Sequence, residues 1–238
     1  MRYFDAYRAL FASGNWGMNL LMMSLCALIP AVGPIVLVGY LFEMIEYKHR
    51  HGGEAHYPDF DFNRFVDYLL RGLWPFLVQL VVSLVCLPLI YLVLFGPVIC
   101  GALMGMPEVL LVLAWLGAIV VGVLLGLLMS YIMTPITLRA GLQQDFAAAF
   151  NVAFVKDFIG RMWLEMILVQ LFMMVSGVVC QAVGIAMCCI GLIPMMAVFS
   201  FAMYHLQWQL YELYLQRGGT PIPMKSPPAS PPGETPLR

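Results

Sequence analysis

Hydrophobic and polar positions are distributed along this chain in long blocks rather than in strict alternation. Apolar runs occupy about 17–42, 74–95, 108–136, 163–183 and 186–207. Each is near the length of roughly 20 residues that crosses a bilayer as a helix. The runs predict an all-α, polytopic transmembrane helical bundle of about five membrane helices. Between them, apolar residues return at helical spacing among charged ones. Tyr3, Phe4, Tyr7, Leu10 and Phe11 oppose Asp5 and Arg8, so residues 1–16 read as an N-terminal amphipathic helix at the bilayer interface. Similar amphipathic segments near 59–72 and 142–161 predict two further surface helices. Trp16, Trp74 and Trp163 each stand where such a segment gives way to an apolar run, the depth at which tryptophan anchors a membrane protein. The unit thus recurs three times, with Phe62-Asn63-Arg64-Phe65-Val66 echoed weakly by Phe150-Asn151-Val152-Ala153-Phe154-Val155.

The first run is interrupted. Pro30-Ala31-Val32-Gly33-Pro34 places two prolines and a glycine within five residues, which predicts a local break. A freed carbonyl has no water to turn to in lipid, so the break is expected to face the bundle interior. Either 17–42 crosses as one kinked helix, or it is a re-entrant hairpin around Pro30–Pro34. Halves of about 12 residues, roughly 18 Å each, are short for crossing, and five kinked spans are the expectation. From Gly218 onward prolines dominate, and 217–238 is expected to be a disordered tail following a membrane domain over 17–216.

Charge orients the bundle. All 12 Lys and Arg residues lie outside the apolar runs, and the connections at about 96–108 and 184–187 carry none. The segments around 43–72 and 137–161 and the tail are therefore expected to be cytoplasmic. With five spans Arg2 and Arg8 fall on the opposite side, whereas a hairpin at 17–42 would bring all 12 together. The first apolar run starts near Met18 without the basic start and cleavage site of a secretory signal, so it is expected to serve as its own insertion signal.

Composition agrees: 62% hydrophobic and 11% charged residues are far from a water-soluble domain, and a net charge of −1 offers no surface to nucleic acid. Six cysteines lie in or beside apolar runs without metal or haem spacing and read as packing residues. A Cys100–Cys188 or Cys100–Cys189 disulfide is a speculative alternative.

Candidate chemistry is sparse. His49, His51 and His56, with Glu54, Asp59 and Asp61, are the candidates for a metal site, but their spacing fits no standard zinc site. The segment reads as a solvated loop in which Asp59 or Asp61 caps the following helix. No intramembrane hydrolase motif is present, and Ser176-Gly177 reads as a close-packing pair. Towards the centres of the apolar runs lie the polar residues Ser24, Gln79, Ser83, Ser130, Thr134, Ser176 and Gln181, with Gln170 nearer the boundary. Gln170 and Gln181, eleven apart, share a helix face that would form interhelical hydrogen bonds or a polar path. Arg161 and Glu165, four apart, are expected to pair.

Tyr7-Arg8 through Asn15-Trp16, Leu28-Ile29-Pro30-Ala31-Val32-Gly33, Gly39-Tyr40, Gly52 through Asp61, Ala147 through Phe150, and Cys189-Ile190-Gly191-Leu192-Ile193-Pro194 leading to Tyr204–Tyr214 form a further set of stretches. Together they resemble a bacterial and archaeal family of multi-pass membrane proteins known as domain of unknown function 4013. The resemblance covers about 1–217, implies a helical bundle in a prokaryotic plasma membrane, and carries over no catalytic residue or cofactor. The resulting expectation is a non-enzymatic scaffold, assembly factor or accessory subunit whose partners are the lipid bilayer and other membrane proteins. The alternative is a transporter or permease for an uncharged or lipidic substrate, which a continuous polar cavity within the membrane would favour.

Overall fold

The computed structural model describes residues 1–52, 57–187 and 190–225. Eight α-helices account for most of them: α1 Asp5–Phe11, α2 Trp16–Leu28, α3 Val32–Arg50, α4 Phe65–Leu103, α5 Glu108–Gln143, α6 Phe146–Ala149, α7 Val152–Ala186 and α8 Leu192–Gln216. Among the described residues there is no strand. Three segments, Phe62–Leu103, Glu108–Gln143 and Val152–Ala186, are long and apolar enough to cross a membrane.

The break at Pro30 is present, and it makes a hairpin. α2 ends at Leu28 and α3 begins at Val32, with Ala31 at a φ of 62°. The Val32 amide donates to the Pro30 carbonyl at 2.7 Å, closing a γ-turn around Ala31. The two helices then run side by side. Gly33 abuts Cys26 near the tip, while Asn19 and Tyr40 both bond the 58–60 segment at the open end. Residues 17–42 therefore double back, and the expectation of one kinked span is corrected. The tip does not face the interior either: Leu28 through Val32 are exposed, and the Ile29 carbonyl is satisfied locally by the Gly33 amide at 3.0 Å. A tight turn bonds its own backbone and needs no neighbour.

The expected surface helices fuse with the spans that follow them. α4 is continuous from Phe65 through Trp74 and Pro75 to Leu103, 39 residues or about 58 Å. Nothing between Phe65 and Trp74 breaks a helix strongly enough to separate the two parts. α7 likewise runs from Val152, but it kinks at Met162, immediately before Trp163, where φ is −122° and ψ 15°. Side-chain caps mark the starts: Asp61 accepts from the Asn63 amide, Asp145 from Ala147 and Ala148, and Asn151 from Phe154.

Helix directions alternate. α3 opposes α4 (Ile35 by Gly72, Gly39 by Tyr68), and α4 opposes α5 (Gly101 by Leu111, Leu94 by Gly122). α5 opposes α7 (Arg139 over Phe154, Gln170 to Leu127), and α7 opposes α8 (Glu165 to Arg217, Gly184 by Leu192). The core forms where α3 and α8 meet α1, α2 and α7: Tyr40, Tyr68, Tyr211, Tyr214, Phe42, Phe158 and Phe201 are fully buried. α1 packs into this assembly, burying Ala6 and Leu10 and setting Tyr3 and Tyr7 against Phe172.

The start of the expected disordered tail is also fixed. The Thr220 amide donates to the Tyr214 hydroxyl at 3.0 Å and the Ile222 amide to the Tyr211 hydroxyl at 2.9 Å, and Ile222 is buried. Proline content alone hid the two tyrosines that hold this segment. Residues 226–238 lie outside the described residues.

Candidate functional site: a polar crevice between helices

Gln79, Ser83 and Cys86 recur at i, i+4 and i+7 on α4, and Ser130, Thr134 and Thr137 do the same on α5. That spacing places each trio on one helix face. The two faces line one crevice of about 440 Å³, completed by Pro34, Ile35 and Val38 of α3 and by Met203, Tyr204 and Gln207 of α8. This volume is typical of small-molecule sites. No acidic or basic side chain lines it among the described residues. Phe76, Gln79, Leu87 and Ser130 are exposed, so the crevice opens sideways onto the apolar face of the helices.

Two glycines set the close crossing of α3 and α4 next to the crevice. A Cβ on Gly39 would overlap the Tyr68 carbonyl, and one on Gly72 would overlap the Ile35 carbonyl, so α3 and α4 cross with backbone against backbone. Away from that crossing Pro34, in the first turn of α3, and Pro75 of α4 both line the crevice, where the helices leave room between them.

Polar satisfaction inside the crevice is uneven. Thr134 donates to the Ser130 carbonyl at 2.9 Å and Thr137 to the Met133 carbonyl at 2.8 Å, each within its own helix. Gln79 and Ser83 make no side-chain hydrogen bond among the described residues. Gln207 Oε1 is buried without a partner. An amide or hydroxyl left bare in apolar surroundings costs a few kcal/mol, on the order of 1–3. The carboxamide of Gln79 and the hydroxyl of Ser83 therefore favour a guest that offers hydrogen bonds.

Of the residues singled out from sequence, Pro34, Gln79, Ser83, Ser130 and Thr134 come together here, whereas Pro30 stays exposed at the hairpin tip. Gln170 and Gln181 do not line a shared path. Gln170 Nε2 donates to the Leu127 carbonyl at 3.0 Å, tying α7 to α5, and Gln181 is exposed. The kink at Met162 and the position of α5 decide which part of that face meets a neighbour. Trp163 is exposed, Trp74 half-buried, and Trp16 stacks edge-on against Phe11 at 5.2 Å. Ser176 bonds the Tyr7 hydroxyl. Arg161 pairs with Asp157 at 2.8 Å, and Glu165 pairs with Arg217, because α8 delivers a guanidinium that sequence spacing does not reveal.

The histidines do not converge. His49 Nδ1 meets Glu212 at 2.6 Å, and His51 Nδ1 the Tyr47 carbonyl at 2.8 Å. His56 and Glu54 lie outside the described residues. No three His, Cys, Asp or Glu side chains cluster for a metal among the described residues. Cys100 is an exposed free thiol, and Cys188 and Cys189 lie outside the described residues.

The open end of the hairpin carries two structural networks. Between α3 and α4, Arg64 grips Glu43 with both terminal nitrogens at 2.5 and 2.7 Å, and Arg71 bonds Glu46 in a buried pair. In the following segment Asp59 accepts from Asn19 at 2.8 Å and Asn15 at 2.6 Å. Those bonds, Asn19 first, hold its carboxyl below the ordinary value of 3.8.

The sequence profile of the family described as "Protein of unknown function (DUF4013)" matches residues 22–189. The chain belongs to this family. The match begins inside α2 and ends between α7 and α8, so DUF4013 takes in the α2–α3 hairpin, the α4–α5 pair and three of the four crevice walls. No curated protein and no solved structure matches the chain. Sequence reasoning missed Thr137, Tyr204 and Gln207. The signal for Thr137 was the i, i+4, i+7 periodicity, which continues from Ser130 and Thr134, while Tyr204 and Gln207 reach the crevice only through the packing of α8.

Proposed function

We propose that this DUF4013 protein is a non-enzymatic carrier or permease, embedded in a prokaryotic plasma membrane, for an uncharged or lipidic substrate held in the crevice. One observation supports this over a pure scaffold: neutral hydrogen-bonding groups from α4, α5 and α8 face a common space with Ser83 near the middle of α4. Among the described residues no charged side chain lines the crevice, which argues against an ion and for a neutral guest. The distribution of Lys and Arg supports a cytoplasmic side for the basic pole and for the segment after α8.

The scaffold reading keeps one observation of its own, the bare outer faces of α4 and α5, which other membrane proteins could cover. Organic extraction of the purified protein, followed by mass spectrometry, separates the two. Wild type should release a neutral molecule that the crevice-filling variant Ser83→Phe with Thr134→Phe does not carry. Equal contents in both proteins would leave the scaffold as the function.

A further inference from the structure

Independently of the carrier reading, we propose that a groove between α1, α3 and α8 binds the phosphate of an anionic phospholipid at the basic pole of the protein. The groove has a volume of about 440 Å³ and is lined by Arg2, Asp5 and Arg8 of the N-terminal segment, Lys48 of α3, and Trp208 and Gln209 of α8. Three cations share the lining with one carboxylate among the described residues, and Asp5 is already engaged with Arg2 at 3.6 Å. Arg8 is exposed and makes no hydrogen bond or ion pair among the described residues. Lys48 is placed differently. It is only 6% exposed, with its Nζ over the Trp208 ring at 5.2 Å, so a positive charge is kept out of bulk water beside the two arginines. Water screens such a charge less than it screens one on the surface, and an anion entering the groove gains accordingly.

The arginines are carried on anchored backbone. The Arg2 amide donates to Gln209 Oε1 at 2.9 Å, and the Arg2 carbonyl accepts from Gln209 Nε2 at 3.1 Å. The Tyr57 hydroxyl donates to the Leu10 carbonyl at 2.7 Å, and Ala6 and Leu10 are buried, which fixes α1. The surroundings favour a lipid over a soluble phosphate. Phe4, Arg8 and Phe11 recur at i, i+4 and i+7 on one face of α1, and Phe4 is 72% and Phe11 50% exposed. A guanidinium between two exposed rings suits the depth at which headgroups meet acyl chains, the rings entering the hydrocarbon and the charge staying at phosphate level. A zwitterionic headgroup would add its own ammonium to a lining that already holds three cations.

The experiment is native mass spectrometry of the full chain in detergent, titrated with phosphatidylglycerol or phosphatidylcholine of identical acyl chains. Wild type should bind the first phosphatidylglycerol about tenfold more tightly, a discrimination within reach of one charge-assisted hydrogen bond. Arg8→Gln should remove most of that preference, and so should Lys48→Met, which deletes the buried charge and keeps the apolar stem. Lys156→Gln, which deletes an exposed charge outside the groove, should keep it. Equal binding of the two lipids by wild type, or equal losses in Arg8→Gln and Lys156→Gln, would overturn the site. Ser83→Phe with Thr134→Phe should leave the preference intact, and its loss in that folded variant would move the anionic lipid to the crevice and overturn the groove. An excess of glycerol 3-phosphate should leave the lipid bound, and displacement would overturn the lipid assignment in favour of a soluble phosphate ester. Thermal unfolding identifies any variant that fails to fold. Arg8→Gln alters an exposed side chain without a partner among the described residues, so it decides the outcome if Lys48→Met does not fold.

Discussion

The outer half of the α4–α5 hairpin and the core around α3 and α8 obey opposite rules. The apolar windows of α4 and α5 have mean hydropathies of 2.6 and 2.8, yet only 6% of each is buried in the protein. α3 and α8 carry Glu46, Lys48 and His205 among their residues, and these are buried. In water the more hydrophobic region would be the one hidden. Here lipid serves as the solvent for α4 and α5, so hydrophobicity marks what faces outward, and burial follows the polar and aromatic residues that need partners. The crevice lies at the boundary between the two regimes, where groups that need partners border a surface that offers none.

The contrast is broken most severely at the Gly39–Gly72 crossing. Gly39→Leu should prevent α3 from seating on α4, at a cost above the roughly 1–3 kcal/mol of ordinary overpacking, because backbone cannot repack. Gly117→Leu on α5, where nothing lies within 4 Å of the added Cβ, should be nearly neutral. Thermal unfolding in detergent measures both, and similar losses would remove the distinction between the regions. Next in size is the buried pair: Arg71→Met takes from Glu46 one of its two guanidinium partners, Arg50 staying on the other oxygen at 2.5 Å, so the loss should fall below the ~3–5 kcal/mol of a fully stranded buried charge, while Arg71→Met with Glu46→Leu should recover most of it. Failure of the double variant to recover would show that Arg71 serves more than charge balance.

A smaller effect is expected at Asp59. Its carboxyl is held below 3.8, so the ionised form favours the folded state. That contribution is fully present above about pH 4 and is lost as pH falls through the lowered value. Asp59→Asn should flatten the stability profile in this acid range, and an unchanged slope would assign the acid sensitivity to another group. Smallest is the link between the regions. Gln170→Leu removes one bond to the Leu127 carbonyl and should cost about 0.6 kcal/mol, the average for such bonds in lipid. A loss several times larger in the same unfolding assay would make α7 a principal support of the α4–α5 pair.

What was legible in the sequence was what depends on nearby residues. Apolar runs, the Pro30 break, a turn within the connection at about 96–108 and the cap at Asp61 all arise from local chemistry, although α4 runs on through Gly96 and Pro97 to Leu103 before that turn is made. The hairpin at 17–42 was not legible, because both topologies satisfy the same hydropathy and only the bonds from Asn19 and Tyr40 to residues 58–60 choose between them. The continuity of α4 through Trp74 was missed for a related reason: amphipathicity reports which neighbours a helix has and says little about where it stops. Four crevice residues, Gln79, Ser83, Ser130 and Thr134, were visible as polar residues in apolar runs. Their convergence was not, since it depends on how α4, α5 and α8 are staggered.

The first helix of the chain is held by its last one. The Arg2 amide donates to Gln209 Oε1 at 2.9 Å, and Leu10 and Ala6 are buried in the same packing. At translation rates of about 5–20 residues per second, some 10–40 s separate the synthesis of these partners. During that interval α1 and the α2–α3 hairpin have no α8 to lean on, and Tyr7 waits equally for Ser176. Membrane insertion of this protein therefore proceeds from a provisional N-terminal segment, which is locked in place only when the ribosome has delivered the helix that completes the crevice.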